Sequence, residues 1–372
     1  MNTFYFMVMP RDTLFFRDAR PMEKAMTNYI ESMAVPYPSV FYGMMCSALM
    51  ENGQLGKVKA KLKEMEKEDK GTGNSSSGTG LEECLKNSLE LCSVFVTSEE
   101  ELYIPAPLDL FEGESGRVYA GMYEDGLLYP PDHCLEETET VQGKYISLYE
   151  FIHYYTRENF GRIRLYDEQK FFSRYGKAGL EIERGKRMAK EGHLYFAEML
   201  ESKENAGYLL KVEADIQEGC MKTGEELWKS DALLGGRNRV AHIQQVNEDA
   251  YCLKQEKEYW NRKCGSKRIK MIFLTPYIIM EESVPDKLSE SGIKVLTRVA
   301  GKPVPAGGFD MARGRQKELK TAMPPGSLFL LESEKFSDMS LNQIKELIDG
   351  ALGCTQGQQF RGFGRFIISE AD

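Results

Sequence analysis

The stretch that decides the fold is the C-terminal run LNQIKELIDGAL (341–352), GCTQGQQFRGFGR (353–365) and FII (366–368). In its first part, apolar residues recur three and four positions apart, which predicts an amphipathic helix. The middle part is glycine-rich and carries Arg361 and Arg365, and a β-type run follows. Glycines let backbone N–H groups approach a ligand closely, and arginines bind phosphate with paired donors. A tight turn with two solvated arginines gives the same pattern, so both interpretations stay open.

A similar pattern occurs earlier in the chain. A predicted strand at 208–214 precedes a predicted helix at 223–234, the glycine turn GGRNR (235–239) and a predicted strand at 240–243. The C-terminal order is the same, with a predicted strand at 328–331 before the helix, the glycine loop and the last strand. This internal repeat indicates two copies of one module that contains strands and a helix.

Length and composition are typical of a globular protein with two domains. The chain has 372 residues, of which 42% are hydrophobic and 28% are charged. It lacks the run of about 18 apolar residues that a membrane helix needs, and its first nine residues lack the features of a signal peptide. Its eight cysteines form no C-x-x-C pair, which argues against a zinc site and a disulfide framework. We therefore expect a cytoplasmic protein without a cofactor.

The net charge of −9 conceals strong segregation of charge along the chain. Between residues 81 and 150 the only basic residues are Lys86, Arg117 and Lys144, whereas residues 294–320 contain seven basic residues against two acidic ones. A local basic surface matters more to a phosphate ligand than the charge of the whole chain. The acidic segment would face either water or a basic protein partner.

Three further segments carry candidate binding residues. Residues 11–20 (RDTLFFRDAR) follow a predicted first strand at 4–9. Ser39 is a candidate N-cap for a helix over 40–50, and a free helix N-terminus after a strand can bind phosphate. Predicted strands at 179–184 and 191–200 form a long hairpin with a charged tip.

An ordered set of short motifs, which covers nearly the whole chain outside residues 52–160, resembles one protein family. The motifs are RDTLFFRDARP (11–21), PYPS (36–39), GLEIERGKRMAKEGHLY (179–195), LGG (234–236), LTP (274–276), GGFD (307–310), PGS (325–327) and GFGR (362–365). The chain resembles the third subunit of the Cmr complex, the type III-B CRISPR effector, which is a RAMP protein.

The resemblance implies an α+β fold of two ferredoxin-like domains, related to the RRM domain. The first would span residues 1–255, with the β-hairpin and an insertion at about 52–160, and the second would span residues 256–372. Within the insertion, residues 71–80 (GTGNSSSGTG) have the composition of a flexible linker.

The resemblance also implies a function in antiviral defence. The family is non-catalytic: it binds the 5′ repeat-derived tag of the guide RNA and docks onto the large polymerase-like subunit, within a complex that also contains backbone RAMP subunits. The candidate RNA-binding residues are Arg17, Arg20, Ser39, Arg184, Lys186, Arg187, Gly235, Gly236, Arg237, Arg239, Gly307, Gly308, Arg313, Arg315, Gly362, Phe363, Gly364 and Arg365. Arg237 departs from the family, which often has an acidic residue after the paired glycines.

Single-stranded RNA binding needs stacking planes as well as phosphate contacts. Tyr37, Tyr195, Phe309 and Phe363 are candidate stacking residues, and core packing is the alternative for each of them.

Two other functions remain compatible with the sequence. Related RAMP proteins include metal-independent ribonucleases, so His193, with Tyr195 nearby, would be the general acid or base of an enzyme that processes repeat RNA. An ordinary packed or surface position is the alternative for His193. In the third hypothesis, the acidic segment 81–150 makes the chain a protein adaptor that does not contact RNA.

Overall fold

The computed structural model describes residues 1–17, 29–56, 58, 60, 83–124, 127–182, 188–216, 228–251, 253–280, 284–310, 315–352 and 358–371. Only the backbone is described at residues 127, 180–182, 189–194, 309, 310, 315 and 316. Within these ranges the fold is rich in strands and has few helices, which agrees with the expected α+β class at that level.

The helices are short to medium in length. They are α1 (Pro38–Glu51), α2 (Leu148–His153), α3 (Leu253–Asn261), α4 (Val284–Glu290) and α5 (Leu341–Leu352). Single 3-10 turns occur at Tyr155–Arg157, Phe160–Arg162, Glu168–Lys170, Gly236–Asn238, Phe336–Asp338 and Gln359–Arg361. A capping box at Ser147 and Glu150 starts α2, because each side chain bonds the backbone N–H of the other residue.

Fifteen strands lie before residue 250 in the described part of the chain. They are β1 (Asn2–Pro10), β2 (Tyr29–Ile30), β3 (Leu89–Ser98), β4 (Glu101–Pro105), β5 (Leu110–Gly113), β6 (Val118–Ala120), β7 (Met122–Glu124), β8 (Leu127–Tyr129), β9 (Thr138–Thr140), β10 (Tyr145–Ser147), β11 (Phe172–Ile182), β12 (Ala189–Ser202), β13 (Ala206–Ala214), β14 (Lys229–Leu233) and β15 (Val240–Val246).

Nine further strands follow in the described part after residue 250. They are β16 (Arg268–Phe273), β17 (Tyr277–Ile278), β18 (Lys294–Val299), β19 (Val304–Ala306), β20 (Phe309–Asp310), β21 (Arg315–Gln316), β22 (Lys320–Met323), β23 (Leu328–Glu332) and β24 (Phe366–Ala371).

A seven-stranded antiparallel sheet is built from the first half of the chain, in the order β10-β4-β3-β13-β1-β15-β14. Successive side chains of a strand point to opposite faces, and β1 is buried on both. Phe6 and Val8 pack into the cluster that contains α1, whereas Tyr5 and Met7 pack into a second cluster. That second cluster also contains residues of β16, so the two halves of the chain share apolar packing.

A four-stranded antiparallel sheet is built from the second half, in the order β18-β23-β16-β24. The predicted C-terminal helix and strand are confirmed as α5 and β24. Leu341, Ile344 and Ile348 of α5 are fully buried in the same cluster as Ile269 and Met271 of β16. The helical spacing of these apolar residues therefore produces the packed face that the sequence indicated.

The predicted hairpin is confirmed as β11 and β12, which pair antiparallel over most of their length. Strand β2 adds to β12 in parallel and makes a three-stranded sheet. Smaller groups of strands complete the described part: β17-β22-β19, β20-β21, β6-β5-β9 and β7-β8. Residues 183–187, the predicted charged tip, lie outside the described residues.

Two sequence predictions of helices are wrong in part. Residues 229–233 form β14 and not a helix, because Lys229–Leu233 pairs with β15 across the turn at Gly235–Arg239 and makes a hairpin. Residues 223–227 are not among those described. The sequence at 81–91 also predicts a short helix; residues 83–86 are helical, but residues 89–91 already belong to β3. The internal repeat that indicated two copies of one module therefore relied in part on a predicted helix whose last residues form a strand.

Candidate nucleic-acid interface

The loop after β1 lies directly against the glycine turn between β14 and β15. The backbone N–H of Gly236 donates to the carbonyl of Phe15 at 3.1 Å, and Leu14 forms a two-way backbone bridge with Leu200 of β12. Residues 11–17, the turn 235–239 and the hairpin strand β12 are thus held together at one surface, which we call the loop–hairpin surface. Three segments that the sequence singled out separately therefore meet here.

Gly235 has a packing role in this surface. Its φ is 76°, a backbone conformation that favours glycine, and a Cβ there would lie 2.5 Å from the Phe16 ring and 3.1 Å from the Phe15 carbonyl. The glycine is needed because the turn closes onto Phe15 and Phe16. This packing contact is sufficient to explain why residue 235 is a glycine, without a bound phosphate.

Arg237 is stacked between two aromatic rings. Its guanidinium carbon lies 5.2 Å from the centroid of Phe15 and 5.6 Å from that of Tyr195, and Nη2 donates to the Tyr195 hydroxyl at 3.2 Å. Such cation–π contacts orient a guanidinium while leaving donors at its edge. Because Arg237 is exposed, those donors face solvent, where a phosphate could accept from them.

Two other arginines of the loop–hairpin surface pair with carboxylates. Arg239 is bonded to Asp12, and Arg11 Nε lies 3.2 Å from Asp231, which also bonds His242 Nδ1 at 2.8 Å. The hydrogen bond from Arg239 lowers the pKa of Asp12, and the contact with His242 is the largest cause of the lowered pKa of Asp231. The surface is therefore less positive than its arginines alone would suggest.

Two further candidates, Arg17 and Ser39, lie on the loop after β1 and in helix α1. Arg17 forms an isolated bridge with Ser32, and its side chain is half-buried. The prediction of Ser39 as N-cap is wrong: Tyr37 is the N-cap of α1 and Pro38 begins the helix. Proline is favoured at the first helical position because its missing N–H is not needed there.

Two glycines of the C-terminal glycine loop pack against residues from both parts of the chain. Gly362 has a φ of 92°, and a Cβ there would lie 2.8 Å from Leu91 and 2.9 Å from Pro38. Gly364 has a φ of 69°, and a Cβ there would lie 3.0 Å from the Tyr277 ring. Both glycines thus allow close approach, as the sequence indicated, but their close neighbours are protein atoms.

Phe363 is packed and not available as a stacking plane. It is 6% exposed and stacks on Tyr37, with ring centroids 6.3 Å apart and an interplanar angle of 28°. Tyr37, another candidate for stacking, is 7% exposed, and its hydroxyl donates to the Pro305 carbonyl. For these two residues the alternative of core packing is the one that the structure shows.

Arg365 is buried, contrary to the phosphate contact expected for it. It is 5% exposed, and its guanidinium donates from Nε to the Leu91 carbonyl and from Nη2 to the Gln359 carbonyl, each at 2.9 Å. Nη2 also pairs with the Glu90 carboxylate. These bonds join the C-terminal loop to β3 and hold the buried guanidinium against the protein. We therefore leave Arg365, Phe363, Gly362 and Gly364 out of the candidate interface.

The remaining candidates lie at the edge of the described residues or beyond it. Gly307 and Gly308 connect β19 to β20; Gly308 is exposed, and the space where a Cβ would stand is open. Arg315 is described by its backbone alone, in β21. Arg20, Arg184, Lys186, Arg187 and Arg313 lie outside the described residues. His193 lies in β12, where only its backbone is described.

Comparison with known proteins identifies the family. Residues 6–370 match the model of a family described as CRISPR-associated protein (Cas_Cmr3). The chain belongs to this family. The match spans nearly the whole sequence and includes all three segments of the loop–hairpin surface.

Individual relatives agree with this assignment. A curated relative, the CRISPR system CMR subunit Cmr3 of Saccharolobus solfataricus (strain ATCC 35092 / DSM 1617 / JCM 11322 / P2), is 24% identical over 331 residues, which cover 87% of this chain and 84% of that protein. A chain in the cryo-EM structure of the Type III-B Cmr-beta bound to cognate target RNA is similar with a TM-score of 0.52 and 17% identity. That similarity covers 96% of this chain and 95% of the other, and it shows a shared fold.

Sequence reasoning missed an apolar cavity of about 370 Å³ between the two halves of the chain. The segment 33–38, strands β3 and β4 and the loops around Pro276, Pro305 and Pro325 line it. Its walls come from segments far apart in sequence, so no local pattern could indicate it.

None of the helices in the described ranges has the length and apolar character needed to span a bilayer.

Proposed function

We propose that this protein is a non-catalytic subunit of a type III-B CRISPR effector complex that binds the 5′ repeat-derived tag of the guide RNA. The family match over residues 6–370 is the observation that carries the proposal. The Saccharolobus relative is named as a subunit of the CMR system, and the Cmr-beta structure is bound to cognate target RNA. Membership of an RNA-guided complex for defence against viruses follows from these similarities.

The loop–hairpin surface is our candidate for the contact with the guide RNA. In this surface, Arg237 contacts two aromatic rings and has donors that face solvent. It therefore presents a positive charge in a fixed orientation. Arg11 and Arg17 lie on the loop after β1, which packs against the turn that carries Arg237, and the sequence predicts a basic tip for the hairpin that borders this loop. Single-stranded RNA is bound by such combinations of basic and aromatic side chains.

The N-terminal and C-terminal parts of the chain are proposed to be two ferredoxin-like domains, 1–255 and 256–372. The strands of the seven-stranded sheet all come from the first range, and those of the four-stranded sheet all come from the second. Docking onto the large polymerase-like subunit and the backbone RAMP subunits is proposed from the family alone.

Affinity purification from cells that also express the guide RNA and the other subunits tests the proposal. We expect the tagged protein to recover guide RNA with an intact 5′ repeat-derived tag, together with the large subunit. Recovery of the protein partners without RNA would instead support the adaptor hypothesis for the acidic segment 81–150.

Incubation of the pure protein with repeat RNA in EDTA tests the non-catalytic assignment. We expect the RNA to remain intact. Cleavage that disappears in His193→Ala would show a metal-independent ribonuclease and contradict the assignment.

A further inference from the structure

At the middle of β12, the two faces of the three-stranded sheet β2-β12-β11 differ in burial. Ala197 and Met199 of β12 are fully buried against Phe15. On the opposite face, Phe196 is 41% exposed and Tyr29 is 49% exposed. Large aromatic side chains on the solvent side of a sheet keep apolar surface in contact with water, so two of them side by side call for an explanation.

Phe196 and Tyr29 are direct neighbours on that face. They are register partners in the parallel ladder of β12 and β2, so their backbones are separated by the ordinary strand spacing of about 4.8 Å. On its other side, Phe196 is opposite Ala178 of β11, and the next position facing the same way on β11 is Gly176. Both small residues are exposed and leave the rings uncovered from that side. We call Tyr29 and Phe196 the aromatic pair.

The ring of Tyr29 is held in place by a hydrogen-bond network. Its hydroxyl donates to Glu198 Oε2 at 2.8 Å, and Arg174 pairs with the other oxygen of the same carboxylate. Arg174 also donates from Nη2 to Glu168 at 2.8 Å and from Nη1 to the Ser32 carbonyl at 2.9 Å. A ring fixed in this way loses little rotamer entropy when a planar ligand stacks on it.

The charge of the hairpin indicates what that ligand is. Residues 170–190, which span β11, the tip and the start of β12, contain seven basic residues and two acidic ones, in a chain whose net charge is −9. A basic element that presents exposed aromatic rings on a sheet is the combination that binds single-stranded nucleic acid, with phosphates on the cations and bases on the rings. An apolar protein partner would not need the positive charge.

We propose that Tyr29 and Phe196 are base-stacking residues for single-stranded RNA. This rests on the proposed function, because Phe196 of the pair lies on β12, the hairpin strand that also carries Tyr195 of the loop–hairpin surface on its opposite face. Neither residue is among the candidates that the sequence pattern indicated. The pair would hold successive bases without regard to sequence, since every base has a planar face.

Fluorescence anisotropy of labelled oligoadenylate with the full-length chain tests the pair. We expect Tyr29→Ala and Phe196→Ala each to weaken binding about 5- to 150-fold. The slope of log affinity against log salt should stay unchanged, because no phosphate contact is lost. An abasic oligomer of the same length should show almost no difference between the variants and the parent chain. Phe196→Tyr, which keeps a stacking plane, should restore most of the affinity.

Tyr175→Ala is the matched control. Tyr175 is a tyrosine of β11, 39% exposed, but its register partner is Met199, so it lies on the other face of the sheet. Equal affinity of the parent, Tyr29→Ala and Phe196→Ala chains for oligoadenylate would overturn the stacking proposal and leave the proposed function intact. Failure of the parent chain to bind any RNA would overturn both.

Crosslinking provides a measurement that does not depend on the folding of variants. In the parent chain, RNA containing 4-thiouridine should crosslink to a peptide containing Tyr29 or Phe196 upon irradiation. Crosslinks confined to other peptides would overturn the proposal. If Phe196→Ala binds RNA normally but no longer purifies with the large subunit, the pair is a protein-docking site and the proposal is wrong.

Discussion

Lys270 Nζ lies 2.8 Å from Asp109 Oδ2, and the two side chains are 10% and 1% exposed. The Tyr155 hydroxyl lies 2.9 Å from both oxygens of the same carboxylate, and the Lys270 ammonium lies 5.2 Å from the centroid of the Tyr155 ring. Asp109 belongs to the segment between β4 and β5, and Lys270 belongs to β16. This buried ion pair therefore links the insertion to the four-stranded sheet.

Removal of one member of this pair should destabilise the protein strongly. Lys270→Met leaves a buried carboxylate with only hydroxyl donors, and we expect a loss of about 3–5 kcal/mol in the free energy of unfolding. Asp109→Leu in the Lys270→Met background should recover part of that loss, because no uncompensated charge remains buried. Urea denaturation measures both values. A loss below about 1 kcal/mol for Lys270→Met would show that the pair is solvated in solution.

Arg365→Ala should affect stability and leave the electrostatics of RNA binding unchanged. The substitution removes bonds to two carbonyls and leaves Glu90 without this partner, so we expect a loss of about 2–4 kcal/mol in the free energy of unfolding. Arg361→Ala is the matched control; its guanidinium belongs to a half-buried side chain, and we expect about 1 kcal/mol or less. If Arg365→Ala instead reduced the salt dependence of RNA binding and left the free energy of unfolding unchanged, Arg365 would contact a phosphate, as the sequence led us to expect.

Gly362→Ala should also be destabilising. The backbone conformation costs a residue with a side chain about 1–2 kcal/mol, and the Cβ would lie 2.8 Å from Leu91, so we expect a total of about 2–4 kcal/mol. Gly43→Ala, in the middle of α1 with open space at the Cβ position, should be neutral or stabilising by up to about 1 kcal/mol. Thermal unfolding of the two variants gives the comparison. Equal melting temperatures would show that the C-terminal loop adapts to the added methyl group.

Local residue patterns made the main elements predictable from the sequence. The strand at 4–9 follows from its aromatic and β-branched residues, the hairpin from two strand-like runs around a charged tip, and α5 from apolar residues three and four positions apart; all are confirmed. The segment 223–234 failed because β14 is an edge strand in which Ala232 is buried and its neighbours Asp231 and Leu233 are exposed. Such a short strand is defined by its pairing with β15, a tertiary contact that local propensity does not contain.

The site was only partly predictable, for a related reason. Glycines next to arginines indicated two loops, and the sequence could not show whether those residues face a ligand or the rest of the chain. Gly235 and Gly362 both pack against apolar side chains, whereas Arg237 is exposed and Arg365 is buried. The aromatic pair was not found because Tyr29 and Phe196 are 167 residues apart in sequence and meet only through strand pairing.

Asp12→Asn should strengthen RNA binding by the loop–hairpin surface. The substitution removes a negative charge and releases Arg239, so affinity should rise and the salt slope should steepen by about 0.7 for one new phosphate contact to single-stranded RNA. Asp231→Asn should act in the same direction through Arg11. Titration of affinity against salt measures both effects. Weaker binding by Asp12→Asn would mean that the pair positions the loop and does not restrain the arginine.

Stability should depend on pH through the same two carboxylates. Their pKa values in the folded protein lie below the ordinary value of 3.8, so their contribution is present above that pH and is lost as the pH falls through the lower folded-state values. The difference in unfolding free energy between the parent and Asp12→Asn should therefore be constant near neutral pH and shrink below about pH 4. Acid titration of chemical denaturation tests this. A difference that grows on acidification would contradict it.

Arg237→Ala should weaken RNA binding more than the loss of a single charge explains. It removes both the phosphate donors and the group that stacks between Phe15 and Tyr195, so we expect a salt slope that is smaller by about 0.7 and a lower affinity at all salt concentrations. Arg237→Lys keeps the charge but not the planar fork, and it should restore the slope with only part of the affinity.

Lys257→Ala provides the control for Arg237→Ala, because Lys257 is an exposed cation of α3 that pairs with Glu248. Its loss should change neither the slope nor the affinity if binding depends on the loop–hairpin surface and not on charge in general. Equal effects of Arg237→Ala and Lys257→Ala would show that the protein attracts RNA through its overall field. In that case the stacked position of Arg237 would serve the turn between β14 and β15 alone, and the guide-RNA contact would have to lie elsewhere on the chain.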